Sequence, residues 1–309
     1  MSLPTHVKIF EVGPRDGLQN EPNPVDTETK VALIEGLADA GVQTIESGSF
    51  VSPKWVPQMA GSEAVFGTIN RKAGVTYSAL TPNMRGLERA ISANVSEVAV
   101  FIAATEDFSQ KNTNCSIAEG IERSAQLTET ALAEGLQVRG YISVAAGCPY
   151  QGEVPASDLI PLAKALLDMG CYEVSLGDSI GVATPGHIKN IIDAVHTVVP
   201  IDNIAMHLHD TYGQALANIY AALELGITVI DSSVAGLGGC PYAPGATGNV
   251  ATENIVYMLN GLGIEHGIDL DKLIAAGNFI TDKLGRDNGS GVARAVLAKQ
   301  IAAKQAASK

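Results

Sequence analysis

Apolar and polar positions along the chain repeat one unit: a short β-rich run, a polar loop, a stretch with apolar residues at helical spacing, and a glycine that closes it. The first copy begins with Val7, Lys8, Ile9, Phe10 and Glu11, a strand by its β-branched and aromatic content. A helix is predicted from Asp26 or Thr27, because Val31, Ile34, Leu37 and Ala38 fall on one face, and Gly41 stops it. Gln43, Thr44, Ile45 and Glu46 then make a second short strand that leaves Glu46 at its C-terminal end. The helix, glycine and strand recur at Ala133 to Gly135 before Gln137, at Leu167 to Gly170 before Tyr172, and at Leu223 to Gly226 before Thr228. Further strands over Val75 to Ala79 and Glu97 to Ile102 fill the gaps. Ser116 and Glu119 are spaced as a capping box, and Thr184 followed by Pro185 opens another helix.

About eight such units over roughly 240 residues predict an α/β fold, a (β/α)8 TIM barrel in which each parallel strand is followed by a helix. A doubly wound sheet is the alternative, and it favours a dinucleotide fingerprint near the first strand. None is present: the glycines at Gly236, Gly238 and Gly239 fail GxGxxG because Pro241 takes the last place. From Thr252 to Lys309 the pattern is helical, with Ile255, Val256 and Leu259, then Leu270, Leu273 and Ile274, in phase. Residues 1–250 are therefore read as the barrel and 251–309 as a C-terminal helical cover of the same structural unit, since no Pro/Ser-rich linker intervenes.

Composition narrows the function classes. A chain of 309 residues that is 46% hydrophobic, with no apolar run long enough to span a bilayer, reads as a globular protein with a substantial core. Its formal net charge of -13 argues against duplex nucleic acid or an anionic membrane as partner, yet permits a small anionic substrate held by local positive charge. The first residues lack the apolar core of a signal peptide and the Arg-rich character of a transit peptide, so a cytoplasmic setting is expected. Cys115, Cys148, Cys171 and Cys240 are widely spaced without a CxxC, which points to reduced thiols. The first three read as buried small hydrophobes.

The candidate chemistry sits at strand ends, where barrels of this kind place their active sites. Met206, His207, Leu208, His209 and Asp210 read as the tail of a strand, and alternation puts His207 and His209 on one face. Two such imidazoles are half of a divalent-metal site, although a solvated or core-bonded pair is compatible with the same pattern. Asp16 follows the first strand, in a segment from Val12 to Glu21 too dense in polar side chains for a plain turn. Glu46 and Asp178 end two more strands, either to orient their neighbours or as structural carboxylates. Residues 234–249 form a long glycine-rich loop, and long ordered loops in compact domains are usually functional. In a closed ring the eighth strand neighbours both the first and the seventh, so Asp16, His207, His209 and this loop can surround one point. Arg139 and Tyr141 lie on the fifth strand, where outward salt-bridge and packing roles are as open to them as a place facing the site.

Five segments carry a resemblance: Gly13 to Glu21, Phe50 to Met59, Ser175 to Asp178, His207 to Gln214, and Gly236 to Tyr242 are similar to the 3-hydroxy-3-methylglutaryl-CoA lyase family of TIM-barrel metallolyases. Related Claisen-type synthases place Asn-Asp after the second histidine, where this chain has Asp210 and Thr211. The resemblance implies a divalent-metal-dependent lyase that cleaves 3-hydroxy-3-methylglutaryl-CoA to acetyl-CoA and acetoacetate by a retro-Claisen step, a reaction of leucine degradation and ketone-body formation. It implies that Asp16, His207, His209 and Asn249 hold the cation, that Arg15 contacts the thioester carbonyl, and that Cys240 handles a proton. His207 is in addition a candidate relay for the hydroxyl proton. One carboxylate, one amide oxygen and two imidazoles suit Mg²⁺ or Mn²⁺ better than a closed zinc site. Glu46 and Asp178 become the candidates that orient Arg15 and the metal waters, and Gln19, Arg139 and Tyr141 the candidates that touch the acyl-CoA. The implied partner is that acyl-CoA, and the implied assembly a homo-oligomer, dimer or tetramer. Three alternatives stay open: a lyase for a longer 3-hydroxy-3-alkylglutaryl-CoA, a Claisen-type acyltransferase joining acetyl-CoA to a 2-oxo acid, and a silent metal- or acyl-CoA-binding barrel.

Overall fold

The computed structural model describes residues 3–239 and 247–307. Its eight parallel strands close into a barrel in chain order: β1 (Lys8–Glu11), β2 (Thr44–Ser49), β3 (Thr76–Leu80), β4 (Glu97–Ala103), β5 (Gln137–Ser143), β6 (Glu173–Asp178), β7 (Ile204–Leu208) and β8 (Val229–Ser232). Closure comes from β1 against β8, with Phe10 opposite Asp231 and Glu11 opposite Ser232. The helices are α1 (Thr27–Asp39), α2 (Ser62–Thr68), α3 (Met84–Ser92), α4 (Glu106–Thr113), α5 (Ile117–Ala133), α6 (Ala156–Asp168), α7 (Pro185–His196), α8 (Ala215–Glu224), α9 (Thr252–Leu262), α10 (Leu270–Leu284) and α11 (Gly291–Ala307). None of the described helices is long and apolar enough to cross a membrane.

Local chemistry explains the element ends. Asp26 accepts a hydrogen bond from the Thr29 amide at 2.7 Å and so caps α1, and Ser116 and Glu119 complete the capping box that starts α5. Thr184 precedes α7 as expected, but its side chain makes no capping bond, so Pro185 alone sets that start. Gly41 ends the turn after α1 with φ +99, a conformation that side chains disfavour.

The segment after residue 250 is bound into the barrel. Ala251 pairs with Ser233 at the end of β8, and α10 packs against α1 and against the turn Val234–Gly236. Below the barrel, the amide of Val7 donates to Glu265 at 2.9 Å and the amide of Glu265 donates to Thr5 at 2.9 Å. The boundary expected at residue 250 therefore falls inside the eighth strand-helix unit, and α11, with Ala293 its one buried residue, is the part that lies outside as a cover.

Apolar side chains fill the layer between strands and helices, whereas the inside of the barrel is polar. On β5, Val138, Gly140 and Ile142 face the helices, and Gly140 is small because a Cβ there would meet Leu166 at 2.9 Å. Arg139 and Tyr141 alternate with them and point inward, the guanidinium of Arg139 lying 4.0 Å from the Phe10 ring. On β2 the register slips between Glu46 and Gly48, a bulge of the kind that re-aims side chains near active sites.

Gly41→Ala is expected to destabilise the fold by about 1–3 kcal/mol, because its φ is positive and a Cβ would collide with the Gly267 carbonyl. In the matching control, Gly67→Ala in α2 has open space around it and is expected to gain about 0.4–1 kcal/mol. Urea unfolding midpoints of the two variants check both signs.

Candidate metal centre

The segment after β1 is one wide turn, Gly13–Gly17, closed by the Gly17 amide on Val12 at 3.1 Å, and it presents Arg15 and Asp16 side by side. It lies directly on the turn after β8: a Cβ at Gly17 would come within 2.6 Å of Ser233 Oγ and 2.8 Å of Leu237 Cβ. β7 adds His207 from inside the barrel and His209 just beyond its end, and His209 bridges to Asn249 on the returning loop.

These elements bring three donors together. Asp16 Oδ2 stands 3.9 Å from His207 Nε2 and 4.0 Å from His209 Nε2, and the two Nε2 atoms are 3.4 Å apart. Atoms about 2.1 Å from one shared cation stand roughly 3–4 Å from each other, so the spacing fits. His207 Nδ1 lies 3.3 Å from Asp231 Oδ2, which places the ring proton there and leaves the Nε2 lone pair facing Asp16. Asn249 donates Nδ2 to Asp16 Oδ2 at 2.8 Å, while its buried Oδ1 has no partner among the described residues. A buried amide oxygen is costly to leave unmatched, and a cation would satisfy it. The donor set thus fits a hard divalent ion held by Asp16, His207 and His209, with Asn249 available as a fourth.

Arg15 sets the electrostatics. Its Nε donates to Glu46 Oε2 at 2.5 Å and its Nη1 to Asp16 Oδ1 at 2.7 Å. Burial alone would raise the Asp16 carboxyl, but the charges of Arg15, His207 and His209 outweigh it and hold the group down at about 2. Burial and the neighbouring His207 push His209 down to about 4, so it is kept as the neutral imidazole that a metal requires. For His207 burial is outweighed by the Asp231 bond and the Asp16 charge, and its basicity rises. Glu46 goes up, because burial exceeds the help it receives from Arg15.

A cavity of about 210 Å³ opens over these groups, lined by Arg15, Asp16, Gln19, Tyr141, His207 and His209 among others. Gln19 and Tyr141 therefore stand where a substrate would pass, and Tyr141 also donates to Glu46 Oε1 at 3.4 Å. Two expectations are corrected. Arg139 does not reach the cavity: it is 0% exposed, lies beneath Tyr141, and is paired to Asp231 and Glu173, so no acyl-CoA contact is open to it. Asp178 makes no bond to Arg15 but accepts the amides of Val182 and Ala183 at 3.0 and 2.9 Å, anchoring the turn after β6. Cys240 lies outside the described residues, whereas Cys115, Cys148 and Cys171 are buried free thiols.

Sequence reasoning missed Asp231, although an acid after Val229 and Ile230 at a strand end was a visible signal. It also missed Glu11 and Glu253, two buried acids in no ion pair among the described residues. Glu11 Oε1 accepts the amides of Gly13 and Val234, each at 2.8 Å, and its Oε2 accepts the Thr252 hydroxyl at 2.6 Å. Glu253 accepts the Ala235 amide at 3.0 Å on both oxygens. Together they tie the turn bearing Asp16 to the turn after β8, and burial pushes Glu11 to about 7 and Glu253 to about 8.

Comparison with known proteins places this arrangement. The family model HMGL-like matches residues 6–280. A 3-hydroxy-3-isohexenylglutaryl-CoA/hydroxy-methylglutaryl-CoA lyase of Pseudomonas aeruginosa is 56% identical, covering 97% of this chain and 100% of the relative. The mitochondrial hydroxymethylglutaryl-CoA lyase of Mus musculus is 55% identical, over 95% of this chain and 90% of its own. Among solved structures, an HMG-CoA lyase from Acinetobacter baumannii in complex with coenzyme A and 3-methylmalate superposes with a TM-score of 0.91 at 35% identity, covering 96% of each chain.

Asp16→Ala is expected to weaken Mn²⁺ binding by more than about tenfold, read by calorimetry on the metal-free protein. Glu253 generates a pH prediction. The folded protein keeps its proton up to about 8, whereas the unfolded chain releases it near the ordinary 4.5, so its stabilising contribution is lost as pH rises through that window. Glu253→Gln is expected to flatten the fall in unfolding free energy between pH 5 and pH 8.5, and an unchanged slope would count against the assignment.

Proposed function

The chain belongs to the HMGL-like family, and from that premise we propose that it is a divalent-metal-dependent lyase that cleaves 3-hydroxy-3-methylglutaryl-CoA to acetyl-CoA and acetoacetate. The observation that carries this reading is the convergence of Asp16, His207 and His209 beside Arg15 in one cavity. Asp16, His207, His209 and the Asn249 oxygen would hold Mg²⁺ or Mn²⁺, as the mixed oxygen and imidazole donors favour. A bound cation of this kind polarises substrate oxygens and lowers the cost of ionising a tertiary hydroxyl.

Once that hydroxyl loses its proton, the bond between C2 and C3 breaks. C3 becomes the ketone of acetoacetate, and the bonding electron pair passes to the thioester as an enolate. Arg15 is placed for that charge: its Nε and Nη1 are committed to Glu46 and Asp16, while its Nη2 has no hydrogen-bond partner among the described residues. A guanidinium already fixed in this way offers a donor to the enolate oxygen without reorganising. His207 is the more basic of the two imidazoles, so we give it the hydroxyl proton; it would take that proton at Nε2 only on giving up the cation, which Asp16, His209 and Asn249 would then hold. Protonation of C2 completes acetyl-CoA, and the resemblance assigns it to Cys240, since a thiol at a pKa of about 8.5 is far more acidic than the carbon acid formed.

A second acyl group is supported by one observation, that the Pseudomonas aeruginosa relative is named for both 3-isohexenyl and 3-methyl substrates. The cavity is also lined by Leu80, Phe101 and Phe108, apolar side chains that suit the 3-alkyl substituent in either case. A homo-oligomer is proposed as the assembly.

Incubation of the protein with 3-hydroxy-3-methylglutaryl-CoA is expected to yield acetyl-CoA and acetoacetate in equal amounts, to stop with chelator, and to resume with Mg²⁺ or Mn²⁺. Cys240→Ser is expected to slow turnover by about a hundredfold while metal affinity holds. Release of free CoA from acetyl-CoA and a 2-oxo acid, without cleavage, would assign the chain to the synthases instead.

A further inference from the structure

We infer that Arg139, sealed inside the barrel, is a positioning residue for the metal centre, which holds Asp231 and through it fixes the ring of His207. The inference rests on the metal-site reading above but not on the identity of the substrate.

Arg139 grips Asp231 with two parallel bonds, Nη2 to Oδ1 at 2.7 Å and Nη1 to Oδ2 at 3.0 Å. This fork fixes the plane of the carboxylate, which a single bond would not. The Ser175 hydroxyl adds a bond to Oδ2 at 2.8 Å, and the remaining direction on that oxygen goes to His207 Nδ1. Asp231 can therefore only accept from His207, so Nδ1 carries the proton and Nε2 keeps its lone pair for the cation. The guanidinium is itself locked. Its Nε donates to Glu173 Oε1 at 2.6 Å, Phe10 and Tyr141 stand 4.0 and 4.8 Å from its Cζ, and the far oxygen of Glu173 takes Lys8 at 3.2 Å. The column Lys8, Glu173, Arg139, Asp231 thus sets two cations against two carboxylates, and Asp231 meets His207 as a paired acceptor rather than as a lone charge.

Three roles for Arg139 make different forecasts. A contact to the acyl-CoA would raise KM and spare metal binding. A core ion pair with no further duty would lower thermal stability alone. A positioning role lowers metal affinity before any substrate is present.

The test compares Mn²⁺ affinity, thermal midpoint and the ¹⁵N imidazole spectrum of the metal-free protein in wild type, Arg139→Met and Glu173→Gln. Arg139→Met is expected to lose about 10–100-fold in Mn²⁺ affinity and to show a mixture of tautomers at His207. Glu173→Gln takes the charge from a comparably buried partner of Arg139 but leaves the fork on Asp231, so its midpoint should fall while its Mn²⁺ affinity stays within about twofold. Should Arg139→Met not fold, Arg139→Lys keeps the charge, loses the fork, and is expected to lose about tenfold. Wild-type affinity in a folded Arg139 variant, or an equal loss in Glu173→Gln, overturns the proposal. Absence of Mn²⁺ binding in the wild type overturns it together with the metal site, whereas absence of lyase activity alone overturns only the substrate reading.

Discussion

Asp16 and Asn249 stand 233 positions apart in the chain and 2.8 Å apart in space, and what spans that separation is the pairing of β1 with β8. Parallel strands cannot pair without a crossover, so the ring closes only after seven crossovers, carrying the eight helices α1 to α8, have been laid down outside it. The complete donor set therefore exists only in the closed ring. His207 and His209 are fixed by one short strand, but their carboxylate partner arrives only when the first strand meets the last. Glu11, on β1 and bonded to Val234 and Thr252 beyond β8, reinforces the same seam from the helical side.

This seam explains why the turns there are so tightly made. Gly17 has no room for a side chain because the turn after β8 lies against it, Gly13 has none because the Glu11 carboxylate fills the space, and Ala235 in the turn after β8 takes a left-handed φ of +57 while its amide is held by Glu253. Strain and buried acids without an ion-pair partner cost stability, and both collect where the turn bearing Asp16 meets the turn after β8. The barrel interior answers the opposite problem. Its charges are expensive to bury, but each of Arg139, Asp231 and Glu173 is matched by a partner, so the ion pairs stack beneath the site instead of destabilising it.

Much of this was legible in the chain because periodicity reports which face a residue occupies. Alternation placed His207 and His209 together, the polar density from Val12 to Glu21 marked the turn that carries Arg15 and Asp16, and glycines such as Gly41 ended helices where expected. Periodicity does not report depth along the barrel axis. Arg139 was correctly set on an inward-capable strand beside Tyr141, yet one step of the pleat separates a residue at the cavity from one sealed below it. Asp178 sat at a strand end like Glu46, and only the chain's course beyond it, folding back so that two amides reach its carboxylate, separates an anchor from a group that orients Arg15. Asp231 was overlooked because its meaning depends on His207 standing opposite it across β7 and β8, a register that appears only once those two strands are paired.

The central claim is that two imidazoles and a carboxylate, drawn from both ends of the barrel, share one cation. Electron spin echo spectroscopy of the Mn²⁺-loaded protein reads the ligands directly. The account predicts modulation from two directly bonded imidazole nitrogens, reduced to one when either His207 or His209 is replaced. A spectrum without nitrogen coupling, from a fully loaded and folded protein, would contradict it.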